Sequence, residues 1–287
     1  MGLVTDSEPA DSAHDLLSSA RRQLSNAGVV GPDAQLLLAD ALGESLGRVR
    51  MLEAIDAAVE AGAALRFRRA VDRRAAREPL QHIVGHAPFR FLSLATGPGA
   101  LVPRPETELL AELAMQRLPQ GGRVLDAGTG TGAIAVSIAT ERPDAEVIAV
   151  ELSPAAFVWA KCNITTLAPS VRLLHDDFAR ALTEQADLDV LVSNPPYVPF
   201  SSIPRDPEVF LHDPGFALYS GSDGLDAIRQ LSISGHAAVR SGGSIVLEHT
   251  EDQGERIREL LAQDGWQQAS TSEDLTGRPR FTAAVRP

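Results

Sequence analysis

The chain carries a single cysteine, Cys162, which rules out an internal disulfide and a cysteine-rich metal centre. A lone thiol on an apolar helix face reads as inert core, and so little cysteine fits a reducing, cytoplasmic setting. No apolar stretch approaches the ~20 residues that a membrane span requires. The polar, acidic start Met1-Gly2-Leu3-Val4-Thr5-Asp6 lacks a basic region followed by an apolar one, so no secretory signal is read. The seven histidines show no ligand spacing, and no metal site is expected. Positive charge is also scarce, for the formal net charge is −12. Affinity built on neutralising phosphates calls for a basic surplus, so a protein substrate is favoured and no direct nucleic-acid binding is expected.

What is present is ordinary for a globular protein: 44% hydrophobic and 22% charged residues in a chain of 287, long enough for two domains. Residues up to about Asp11 read as disordered. Ser12 caps a helix running to Leu24, Pro32-Asp33 opens a second that Gly43 ends, and a longer helix is expected from Ile55 to Arg77. Residues 1–78 therefore read as a small helical bundle. Arg66, Arg68, Arg69, Arg73, Arg74 and Arg77 concentrate positive charge in its last helix, either as a solvated face or as a docking surface for an acidic protein or RNA. Glu78-Pro79 breaks that helix. Phe89 to Leu94 alternates like a strand, with Gly97-Pro98-Gly99 as a turn, which predicts a β-hairpin linker over 79–101.

The remainder, 102–287, alternates strands and helices and predicts an α/β domain with a mostly parallel sheet. Its first strand, Arg123-Val124-Leu125-Asp126, runs into Gly128-Thr129-Gly130-Thr131-Gly132, where glycines let the backbone approach a ligand and the next helix offers its N-terminal N–H groups. The pattern also satisfies a dinucleotide fingerprint, so it discriminates weakly. The second strand ends at Glu151, about 20 residues on, where a carboxylate accepts hydrogen bonds from ribose hydroxyls. Asp177 follows the third strand as an acceptor for an adenine amino group, with Phe178 available to pack on the ring.

Val190-Leu191-Val192-Ser193 is an apolar strand that stops abruptly at Asn194-Pro195-Pro196-Tyr197. Neither proline can donate to a ladder, and both stiffen the loop. The Asn194 side-chain oxygen and the Pro195 carbonyl can then act as paired acceptors for a planar NH2 group. The loop would lie at the carboxyl edge of the sheet, where open α/β folds bind ligands.

Taken with Pro79-Leu80-Gln81-His82-Ile83-Val84-Gly85, Val102-Pro103-Arg104-Pro105-Glu106-Thr107-Glu108, Gly221-Ser222-Asp223-Gly224-Leu225 and Asp274-Leu275-Thr276-Gly277-Arg278-Pro279-Arg280, these motifs resemble the HemK/PrmC family in kind and order. The resemblance covers nearly the whole chain. It implies a class I S-adenosylmethionine-dependent methyltransferase domain, Rossmann-like, with a seven-stranded sheet holding one antiparallel strand near the edge, preceded by an all-α substrate-docking domain. The implied reaction is methylation of the N5 amide of the glutamine in the Gly-Gly-Gln motif of class-1 peptide chain release factors, yielding S-adenosylhomocysteine. Asn194, Pro195 and Tyr197 are then the catalytic candidates. Pro196 joins them in binding substrate, while Gly128, Thr129, Gly130, Thr131, Gly132, Glu151, Asp177, Phe178 and Asn194 hold the cofactor. A monomer is expected. A sister group acting on a ribosomal protein typically has Arg-Ser-Pro where this chain has Arg104-Pro105-Glu106, and a DNA adenine methyltransferase is disfavoured by acidity. The family's usual Glu-Ile-Gly is replaced by Glu248-His249-Thr250, a departure read as local repacking.

Overall fold

In the computed structural model, residues 11–203 and 206–287 are described, and they form two compact units divided after Gly85. The expectation for residues preceding Asp11 lies outside the described residues.

In the first unit, α1 (Ala13–Asn26), α2 (Asp33–Leu42), α3 (Leu46–Ala54), α4 (Ala61–Ala75) and the short α5 (Leu80–Val84) close around Leu17, Leu37, Leu38, Val49 and Phe67. Ser12 caps α1 through a 3.1 Å bond from Asp15 N, satisfying one of the orphan donors of the first turn. The long helix expected from Ile55 starts later: α3 has already ended at Ala54, the chain turns at Asp56 (φ 51°), and Glu60 accepts from Gly62 and Ala63 to start α4. Leu80 to Val84, read above as part of the linker, is helical and belongs to this unit. The arginine run is largely internal bonding. Arg66 donates to Ala41 O, Arg68 pairs with Asp11, Arg73 with Glu78 and Arg74 with Asp33, while Arg77 donates to the Ala27 and Gly28 carbonyls.

The second unit opens with an antiparallel hairpin, β1 (His86–Phe89) and β2 (Leu92–Ala95). The sequence places one strand across Phe89–Leu94, but the tight turn falls there, on Arg90 (φ 51°) and Phe91. Arg90 is fixed by Glu108, Glu112 and Glu141, which holds the turn against α6 (Thr107–Arg117) and α7 (Ala133–Glu141).

The main sheet comprises β3 (Arg123–Ala127), β4 (Glu146–Glu151), β5 (Arg172–His175), β6 (Leu188–Ser193), β7 (Val239–Glu248), β8 (Gln267–Glu273) and β9 (Pro279–Val285), in the order β5-β4-β3-β6-β7-β9-β8. Only β9 is reversed, one strand in from the edge, as the resemblance implies. Alternation along each strand sorts side chains between two cores. Val124, Val147, Ala149, Val190, Val192 and Val246 face α6, α7 and α8 (Pro154–Leu167). Leu125, Ile148, Val150, Leu191, Ile245 and Leu247 face the other layer, built by α9 (Phe178–Thr183), α12 (Asp226–Ala238) and α13 (Gly254–Gln263). Two short helices, α10 (Pro207–His212) and α11 (Gly215–Leu218), lie in the connection after β6. Cys162 corrects its expectation: α8 buries Ala156, Ala160, Asn163 and Ile164, which leaves the thiol exposed.

Candidate active site

The chain runs outward from β3 through β4 to β5, then returns to place β6 on the other side of β3. The crevice beyond the carboxyl ends of β3 and β6 is thus a topological switch point, and there a cavity of about 600 Å³ opens, within the range for small-molecule sites. Gly128, Thr129, Gly130, Thr131, Glu151, Asp177, Phe178, Asn194 and Pro196 all line it. Gly132, Pro195 and Tyr197 do not.

The glycine turn owes its shape to buried partners. Gly128, Gly130 and Gly132 have φ of 71°, 60° and 85°, a region that L side chains rarely adopt. Nothing lies within 4 Å of where a Cβ would stand on Gly128 or Gly130, so the backbone there is open to a ligand. Beneath, Asp126 Oδ2 accepts from Thr129 Oγ1 at 2.5 Å and from Ala135 N at 3.1 Å. Burial pushes the Asp126 carboxyl up to about 7. Asn163 donates to the Thr131 and Ala95 carbonyls, tying the turn to the hairpin. Gly132 caps α7 and packs toward Ala160, behind the ligand-facing surface.

Glu151 is set before any ligand arrives: Oε2 accepts from Gly130 N at 2.8 Å and Oε1 from Ser153 N at 2.7 Å. Each oxygen keeps a lone pair for a further donor. Burial raises the Glu151 pKa above its ordinary value, favouring the protonated form relative to a solvated carboxyl. Asp177 serves as the N-cap of α9, its Oδ1 accepting from Ala179 N and Arg180 N, which leaves Oδ2 uncommitted. Phe178 both packs on the second core and lines the cavity.

The Asn194 loop is clamped on both sides. Val198 N donates to Leu218 O and Ser220 N to Val198 O. Pro195 is buried, and the Tyr197 hydroxyl turns inward to within 3.5 Å of Glu248 Oε1. Burial, with the Glu248 charge, drives the Tyr197 phenol well above its ordinary range. Asn194 Nδ2 donates to Thr107 Oγ1 at 3.2 Å, and Thr107 donates in turn to Glu248 Oε2 at 2.8 Å. In the sequence Thr107 stands out only within the Val102 to Glu108 motif and Glu248 only as the retained first residue of Glu248-His249-Thr250, because nothing local links positions 141 residues apart. Arg104 lines the cavity and pairs with Asp213 at 3.3 Å. His249 is buried away from the cavity; Nδ1 donates to Thr250 O and Nε2 accepts from Thr282, a neutral ring whose proton affinity is lowered by burial.

An open α/β sheet with a glycine turn, a braced carboxylate at the end of its second strand and an apolar-walled cavity at the switch point is the architecture of a nucleotide-type cofactor site. Comparison makes the class a methyltransferase. The family profile described as "Methyltransferase small domain" matches residues 105–203, and the "PrmC N-terminal domain" profile matches residues 15–85. Three curated relatives, each named release factor glutamine methyltransferase, align nearly end to end. That of Mycolicibacterium smegmatis is 44% identical over 94% of this chain and 96% of its own. That of Deinococcus radiodurans is 41% identical over 95% and 98%, and that of Bifidobacterium longum 40% over 94% and 98%. The chain belongs to the release factor glutamine methyltransferase family, whose members are S-adenosylmethionine-dependent enzymes.

Proposed function

We propose that the protein transfers a methyl group from S-adenosylmethionine to the N5 side-chain amide of the glutamine in the Gly-Gly-Gln motif of a class-1 peptide chain release factor, modulating translation termination. The observation that carries this reading is the Asn194 amide at the cavity wall, its NH2 engaged by Thr107 and its Oδ1 left as an acceptor. The residues present fit the cofactor: two open glycines, a carboxylate braced at the end of β4 and an apolar cavity of sufficient size.

When bound, the cofactor supplies an electrophilic methyl group on a sulfonium. Glu151 would hold the ribose hydroxyls with its remaining lone pairs, Asp177 Oδ2 would accept from the adenine amino group, and Phe178 would pack on the ring. An amide nitrogen is a poor nucleophile because its lone pair is delocalised. Asn194 Oδ1 and the Pro195 carbonyl oxygen accept its two hydrogens, align it and favour the positive charge that develops as the new bond forms. Pro196 walls the glutamine side chain, and Tyr197 braces the loop from beneath. One amide hydrogen leaves as a proton after methyl transfer, so no strong base is required beforehand. The enzyme works in the cytoplasm as a monomer, and its net charge of −12 disfavours direct nucleic-acid contact.

The test offers release factor, ribosomal protein and DNA side by side with methyl-labelled cofactor. Label should appear in the release factor, at glutamine N5. Label in either alternative and none in the release factor would overturn the assignment.

A further inference from the structure

Asn194 can act as an acceptor only if its amide faces the right way, since rotation by 180° about its last torsion exchanges Oδ1 for NH2. The structure contains a directional relay that decides this. Thr107 has one hydroxyl proton and gives it to Glu248 Oε2 at 2.8 Å. Its oxygen can then only accept from Asn194, and it takes the bond from Nδ2 at 3.2 Å. Thr107 and Glu248 are both buried, which limits the access of water to the bond between them.

We propose that Thr107 and Glu248 are positioning residues that fix the Asn194 amide, presenting Oδ1 and not the NH2 group to the substrate glutamine. The proposal rests on the reading of Asn194 as the acceptor for the glutamine amide. A proton on Glu248 reverses the relay. The carboxylic acid then donates to Thr107 Oγ1, the hydroxyl turns to donate toward Asn194, and the amide is drawn over so that its NH2 meets the NH2 of the substrate.

The groups that face Glu248 are Arg104, Glu106 and Thr107 at the start of α6, Tyr197 after β6 and Arg280 on β9. Its chain neighbour His249 turns to Thr282 and Thr250. Burial outweighs the Thr107 bond and the two arginines and pushes the Glu248 carboxyl up to about 7. The relay therefore holds at pH 8 and is lost as the pH falls through neutrality.

The experiment uses full-length enzyme, Thr107→Val, Thr107→Ser, Glu248→Gln, Asn194→Ala and the Thr107→Val/Asn194→Ala double variant, each checked by thermal melting. Thr107→Val should lower kcat by about 10²-fold, the scale for misplacing a reacting group, with cofactor affinity within about threefold of wild type, as expected where binding contacts are untouched. Thr107→Ser should restore most of kcat. In the Asn194→Ala background, Thr107→Val should cost nothing further. Independently of activity, the Asn194 side-chain NH2 resonances of labelled enzyme without cofactor should shift with a midpoint near pH 7, and the shift should vanish in Glu248→Gln. An inactive Asn194→Ala together with a fully active Thr107→Val, or an NH2 signal flat from pH 5 to 9, would overturn the relay alone. An active Asn194→Ala would instead overturn the reading of Asn194 on which the relay rests.

Discussion

Gln253 Nε2 donates to the carbonyl oxygen of Tyr197 at 2.9 Å, and Gly224 presses on the same carbonyl from beside it. The Asn194 loop is therefore held by residues that follow it in sequence by some tens of positions. A Cβ added to Gly224 (φ 79°) would stand 2.3 Å from Tyr197 O, against backbone that cannot yield. Gly224→Ala should cost about 2–4 kcal/mol through the left-handed backbone and the clash. Urea unfolding measures the loss, and kcat should fall with it because the loop must shift.

Glu151→Ala removes the acceptor proposed for the ribose and also frees Gly130 N and Ser153 N, which it now holds. Cofactor binding should weaken by roughly 1–3 kcal/mol, the scale for hydrogen bonds to a charged group. Calorimetry checks it, and unchanged affinity would refute the assignment.

Much of the second unit was legible because its signals are local. Gly128 to Gly132 and Asn194 to Tyr197 are contiguous, and both fall where the switch point puts them. Glu248 was quoted only as part of an altered motif, because its partner Thr107 arrives from a distant helix. Phe89 to Leu94 misled because alternation persists through a two-residue turn whose tight residue is Arg90, not a glycine. The helix expected from Ile55 ran through the turn at Asp56, another non-glycine with positive φ, because Ala57, Ala58 and Val59 offer no breaker before α4 begins at Ala61. Helices of four to six residues, as α9, α10 and α11 are, carry too few turns to show a period.

Burial of Glu248 has a consequence for stability whose sign is fixed. Its carboxyl is raised in the native state to about 7 from an ordinary 4.5, so between these values the native state binds more protons than the unfolded one. This contribution is present below about 4.5 and is lost as the pH rises through about 7, amounting to about 3 kcal/mol at full extent. Glu248→Gln should accordingly gain in melting temperature over wild type at pH 8 and lose that advantage at pH 5. Parallel melting curves across that interval provide the check.

The arginines of α4 should behave as structure. Arg74 and Asp33 meet at 2.7 Å with side chains only 10% and 14% exposed. Arg74→Ala strands a nearly buried carboxylate and should cost about 3 kcal/mol. Differential scanning calorimetry should show that loss while kcat at a temperature where the fold persists stays unchanged.

Cys162 should react with an aromatic disulfide reagent without denaturant, to one thiol per chain, because α8 turns it outward. Slow reaction that accelerates on unfolding would place it in the core after all.

The proposed chemistry turns on Asn194, and steady-state kinetics of Asn194→Ala on intact release factor tests that role directly. The prediction is that kcat and kcat/KM fall together by ~10²–10³-fold, as when a preorganised polar partner of the transition state is deleted, while calorimetric cofactor affinity changes far less. A variant that loses cofactor affinity yet keeps kcat at saturation, or one that keeps full activity, would contradict it.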